Sequence, residues 1–116
     1  KDSEALYIEG RYQEKHGNYD DALVLYEEAA SRDSLRGMCS LALLYYRGQG
    51  ESRDYDKARR YWEYCCKRGH RGSYYWLGIL LLDIDYDGYD KELALNHLTK
   101  AAELGSERAK QKLSEL

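Results

Sequence analysis

The chain has 116 residues with 18 Lys and Arg against 21 Asp and Glu, a formal charge of −3, which suits one domain and excludes a large multidomain enzyme. Hydrophobic residues make up 43% and charged residues 34%, enough apolar surface for a packed core, and the near-neutral balance gives no general attraction to nucleic acid or anionic lipid. Proline and phenylalanine are absent while tyrosines number 13 and glycines 10, a composition that favours helices stopped by glycine.

In chain order the apolar spacing and the capping residues predict seven helices, over about 2–15, 19–31, 34–47, 54–68, 71–84, 90–104 and 106–115. Tyr55, Ala58, Tyr61, Trp62, Cys65 and Cys66 recur at three- and four-residue intervals, one buried stripe along one helix. Asn18, Asp54 and Asp90 each stand where a side-chain oxygen accepts from the free amides of a first turn, and Gly69 and Gly105 close two stripes. The longest apolar stretch, 74–82, covers about half of the roughly 20 residues that a membrane-spanning helix needs.

Sliding the sequence against itself by 36 residues brings Asp54 onto Asp90, Ala58 onto Ala94, Cys65 and Cys66 onto Ala101 and Ala102, Gly69 onto Gly105, and Leu41-Ala42 onto Leu77-Gly78. A second shift brings Asn18 onto Asp54, Ala22 onto Ala58, and Ala29-Ala30 onto the cysteine pair. The echo predicts one domain over 1–116, with units of about 1–33, 34–69 and 70–105 and a cap at 106–116. Small residues at Ala22, Ala29, Ala42, Ala58, Gly78, Ala94 and Ala101 let paired helices approach closely.

The run Leu41, Ala42, Tyr45, Gly48, Gly50, Asp54, Lys57, Ala58, Tyr61, Cys65, Cys66, Gly69 resembles the Sel1-like repeat. The third unit keeps Leu77-Gly78, Asp90, Ala94, Lys100-Ala101-Ala102 and Gly105 but has 83–88 in place of the Gly-x-Gly, and the first unit, with Gly10, Gly17, Ala22, Tyr26 and Ala29, is closer to the related tetratricopeptide repeat. The resemblance implies an all-α, right-handed α-solenoid of about three antiparallel hairpins plus a C-terminal capping helix. It also implies a scaffold or adaptor for a protein or peptide, with no catalytic residue and no cofactor to carry over. For cysteine-rich members it implies a disulfide partner of Cys66 near Tyr74, which is not cysteine.

In such a stack the first helix of each hairpin lines the concave side. The expected groove residues are Tyr7 and Arg11, beside Glu4, in the first unit; Arg36, Cys39, Leu43, Tyr46 and Arg47 in the second; and Tyr75, Ile79 and Leu82 in the third. Tyrosine, arginine and aliphatic groups suit a peptide partner because such anchors carry most interface energy. For each of them the competing reading is packing between neighbouring hairpins.

Other chemistry is thinner. The stretch 51–71 carries seven basic against four acidic residues, with Tyr61, Trp62 and Tyr64 among them; a solvated helix face accounts for it better than single-stranded nucleic acid, since the aromatics belong to the buried stripe. Asp83, Asp85 and Asp87 before Gly88 open like a calcium loop in which the Tyr89 carbonyl would also ligate, but the twelfth position, where a bidentate glutamate is needed, is Ala94. A calcium-responsive module is therefore one alternative, and a regulatory or inhibitory partner of the immunity type is another. Cys39, Cys65 and Cys66 are odd in number and two are adjacent, which fits neither a zinc pair nor a disulfide framework and reads as reduced, packed thiols. His16, His70 and His97 form no triad with a nucleophile and an acid, so no enzyme is predicted. A start on Lys rather than Met reads as an excised piece, and Arg108, Lys110, Gln111 and Lys112 on the last helix read as a true end or cap. A monomeric domain or part of a longer array is expected, with no nucleic acid and no membrane. The compartment is left open, reduced thiols leaning toward the cytoplasm, with periplasm and secretory lumen as alternatives.

Overall fold

The structure is a computed structural model that describes residues 2–51 and 53–116; Lys1, which opens the first expected repeat, and Ser52 lie outside the described residues. Among the described residues there is no strand, and seven helices follow one another: α1 (Ser3–Lys15), α2 (Tyr19–Ser31), α3 (Leu35–Arg47), α4 (Tyr55–Cys66), α5 (Arg71–Leu81), α6 (Lys91–Glu103) and α7 (Glu107–Ser114). They fall on the predicted spans, most closely at their starts. The fifth stops at Leu81 rather than 84, because Leu82 ends the helix and the Asp83 side chain accepts from the Asp85 N–H at 2.9 Å, turning the chain. Backbone contacts gather into two compact units, Lys1–Tyr61 and Trp62–Leu116, and α4 runs unbroken through the border.

In the first unit α1 packs on α2 and α2 on α3. Leu6, Ala22, Tyr26, Ala29, Leu41, Ala42 and Leu44 are essentially inaccessible. Gly10 is small because the Tyr26 ring lies where its side chain would be. In the second unit α5 packs on α6 and α6 on α7, around Trp62, Cys65, Leu77, Leu80, Leu81, Leu98, Ala101 and Ala109. A Cβ built on Gly78 would stand 2.7 Å from Leu98 Cγ, so the glycine of the Leu77-Gly78 pair is what admits α6.

The turns repeat the 36-residue register atom for atom. Asp33, Gly69 and Gly105 all have positive φ, at 64°, 79° and 99°. After each, the N–H of Ser34, His70 and Ser106 donates to the carbonyl of Ala29, Cys65 and Ala101, at 3.1, 3.1 and 2.9 Å. The same three residues then cap the next helix: Ser34 Oγ accepts from the Gly37 N–H at 3.0 Å, His70 Nδ1 from the Ser73 N–H at 3.2 Å, and Ser106 Oγ from the Ala109 N–H at 3.1 Å. Because His70 Nδ1 is an acceptor, its ring proton sits on Nε2. The longer loops inside the hairpins differ in sequence but close alike. Asp54 N–H donates to Tyr45 O at 3.0 Å and Asp90 N–H to Leu81 O at 2.9 Å, and both aspartates accept from the N–H three residues on. Asn18 departs from the predicted cap: its side chain makes no such bond and Nδ2 instead donates to Gln13 Oε1 at 2.8 Å.

Two substitutions test this account of the turns. Gly69→Ala meets no atom within 4 Å, so its expected cost of about 1–2 kcal/mol in denaturant unfolding is that of left-handed backbone alone. His70→Ala is expected to lose about 1 kcal/mol, whereas His70→Ser restores the hydroxyl used at positions 34 and 106 and should recover most of it.

Candidate partner-binding surface

On α1 and α3 several predicted groove residues come together. Tyr7 OH accepts from an Arg11 guanidinium N–H at 2.9 Å, the Arg36 guanidinium lies 5.0 Å from the Tyr7 ring centroid, and Arg36 reaches Glu4 at 3.0 Å. Glu4 and Arg36 are both more than half exposed, so the pair contributes at most about 1 kcal/mol; its effect is to hold the Arg36 side chain across Tyr7. Beneath them the Tyr7 and Tyr26 rings stand 6.2 Å apart, and the buried Tyr26 hydroxyl donates to Glu14 at 2.6 Å. Burial first, then the Glu14 carboxylate, raise the Tyr26 phenol far above its ordinary value. The Arg11 guanidinium is raised chiefly by its hydrogen bond to Tyr7.

Arg11 and Arg47, both predicted, line one open cleft of about 460 Å³ together with Ile8, Tyr12, Glu14 and Lys15 of α1, Tyr19 of α2 and Gln49. Ile8 and Tyr12 are 57% and 59% exposed, one helical turn apart, so α1 presents an apolar ridge beside its cations. Sequence reading missed this ridge, although two large apolar residues four apart outside the buried stripe were its signal.

Three other expected residues in the first unit sit differently. Cys39 is 9% exposed, which corrects its assignment as a groove residue: it faces inward as a compact apolar group. Tyr46 is half-buried with its ring 5.6 Å from that of Tyr55, and Leu43 is half-buried. In the second unit Tyr75 and Leu82 pack against the cluster of Leu98, Ala101 and Ala109, Tyr75 standing edge-on to Trp76 at 5.0 Å, and Ile79 is half-buried.

The residues weighed for other chemistry are accounted for by packing. Lys57 Nζ lies 4.6 Å from the Tyr45 ring centroid and is raised chiefly by that tyrosine; the Tyr and Lys of the repeat signature thus meet each other. Cys65 and Cys66 are buried, and burial raises the Cys65 thiol. Of the supposed calcium loop, the Asp83 carboxylate is engaged by Asp85 N–H and Tyr86 is buried while Ile84 is 85% exposed. Among the described residues no three His, Cys, Asp or Glu side chains gather to hold a metal; Asp83, Asp85, Asp87 and Tyr89 lie in the loop between α5 and α6. No helix of the described residues is long and apolar enough to cross a membrane.

Comparison with known proteins agrees with this geometry. The family model for the Sel1 repeat matches three times, over residues 5–34, 35–70 and 72–106, and the chain belongs to the Sel1 repeat family. Sel1 repeat proteins are generally protein-interaction scaffolds. Comparison with the curated proteins returns no match. Among solved structures, c5321, a protective antigen of uropathogenic Escherichia coli with an SLR fold, superposes with a TM-score of 0.81 at 24% identity over 96% of this chain, which spans 25% of that protein. A Sel1 repeat protein from Oxalobacter formigenes superposes at 0.78 with 27% identity, over 99% of this chain and 90% of that one. These likenesses establish the all-α repeat fold.

The buried phenol gives a pH test of the α1–α2 packing. The fold favours neutral Tyr26, so this contribution to stability is complete below the ordinary tyrosine value near 10 and is lost as pH rises above it. Denaturant midpoints are expected to fall as pH rises above about 10, and Tyr26→Phe should show a shallower fall.

Proposed function

We propose that this chain is an adaptor that binds a protein or peptide partner on the surface that α1 and α3 build in its first unit. The observation that carries this reading is the joining of Tyr7, Arg11 and Arg36 on α1 and α3, with Arg11 and Arg47 sharing an open cleft. Aromatic and guanidinium groups held in place by neighbours bind with little further loss of freedom. Tyr46 and Leu43 extend the proposed contact set on α3; Tyr75, Ile79 and Leu82 on α5 are proposed as contacts of the second unit by itself. Residues 1–116 act in this reading as one repeat domain, supported by the 36-residue turn register and by the continuity of α4. A non-catalytic role agrees with the family and with the packed state of the thiols.

Affinity capture from the native source with the intact chain, followed by mass spectrometry, tests it. Tyr7→Ala with Arg36→Ala is expected to lose the captured protein while a Glu28→Ala change on α2 retains it. Retention by the folded double variant would show that partners bind elsewhere. One cooperative denaturant transition, seen alike by tryptophan fluorescence and circular dichroism, is expected of a single domain; two separate transitions would count against it.

A further inference from the structure

We infer that the α1–α3 cleft takes an acidic peptide segment, its carboxylates on Arg11, Lys15 and Arg47 and a neighbouring apolar side chain on the Ile8–Tyr12 ridge; this rests on the peptide-binding reading above and narrows it. The carrying observation is charge set beside apolar surface. Three cations line one wall system with a single carboxylate, and that carboxylate, Glu14, is drawn inward by the Tyr26 hydroxyl at 2.6 Å. The cleft lining thus carries more basic than acidic side chains in a chain whose overall charge is −3, so the excess is local.

The geometry also sets the form of the occupant. Arg11 and Lys15 are one helical turn apart on α1 and Arg47 ends α3, so two helices contribute cations to one cleft. Three cations suit several carboxylates of one peptide better than one small anion. Ile8 and Tyr12, each more than half exposed, give an aliphatic or aromatic residue between those carboxylates a surface on which to lose water. A volume of about 460 Å³ lies within the range of roughly 300–1,000 Å³ typical of ligand clefts. Tyr12 and Tyr19 add ring surface without charge.

Selection from a random peptide library displayed on phage, against the immobilised full chain, is the test. Sequences rich in Asp and Glu with an interleaved apolar residue are expected. The best of them, made synthetically and labelled with fluorescein, should bind about tenfold more weakly to Lys15→Glu plus Arg47→Glu, and also as salt rises from about 0.05 to 0.5 M. Lys91→Glu, on α6, should bind it as the parent does. Circular dichroism and the unfolding midpoint must match across the variants; if the double charge reversal fails to fold, Lys15→Ser plus Arg47→Ser replaces it, with a smaller loss expected. Neutral or basic consensus sequences, or acidic ones indifferent to these changes, would overturn the acidic cleft while leaving peptide binding intact. Failure to select any peptide would overturn both. An oligothymidylate of equal charge displacing the acidic peptide with equal potency would assign the cleft to nucleic acid instead and overturn the proposal.

Discussion

Each turn between hairpins is closed by one backbone hydrogen bond, from the N–H of residue 34, 70 or 106 to the carbonyl five residues earlier. That bond requires a left-handed residue in between, supplied by Asp33, Gly69 or Gly105, and it delivers the next residue to the position from which it caps a helix. Helix end, turn and helix start are thus fixed together by about six residues. Without the turn, α3, α5 and α7 would begin at other positions, and their buried stripes would face other directions. The approach of α3 to α2 depends on this register: a Cβ built on Gly37 would stand 2.8 Å from Ala29 Cβ, so that glycine cannot adapt to a misplaced neighbour.

This dependence explains what was legible from sequence. Helix starts were readable wherever a small polar residue or aspartate had to satisfy free amides, as at Asp54 and Asp90, and helix ends where glycine alone tolerates the backbone, as at Gly69. Asn18 looked equivalent but could choose a side-chain partner, Gln13, that only the folded hairpin brings near. In the 83–88 stretch the alternating aspartates left two readings open, and the spacing alone does not show that Asp83 accepts from the Asp85 N–H two residues on.

The binding face was less legible because exposure on a helix depends on what packs beside it. Cys39 was placed outward by its offset from Leu41-Ala42, and it is buried. Ile8 and Tyr12 are apolar by type, and apolar type alone argues for the interior; only their spacing off the buried stripe marked them as an exposed pair. Arg11 and Arg47 were identified individually, but that they share one cleft with Lys15 follows from three-dimensional neighbourhood rather than from any sequence interval.

The turn bond has a consequence for how such chains change length. It joins residues only five apart, and the Asp54 and Asp90 bonds span nine, so each recurring connection begins and ends within one stretch of turn. Excising or copying a block of 36 residues between equivalent turns therefore strands no amide and moves no cap out of phase. A genome can lengthen or shorten an array of this kind in whole modules, whereas a deletion of one or two residues would rotate every following stripe by about 100° per residue.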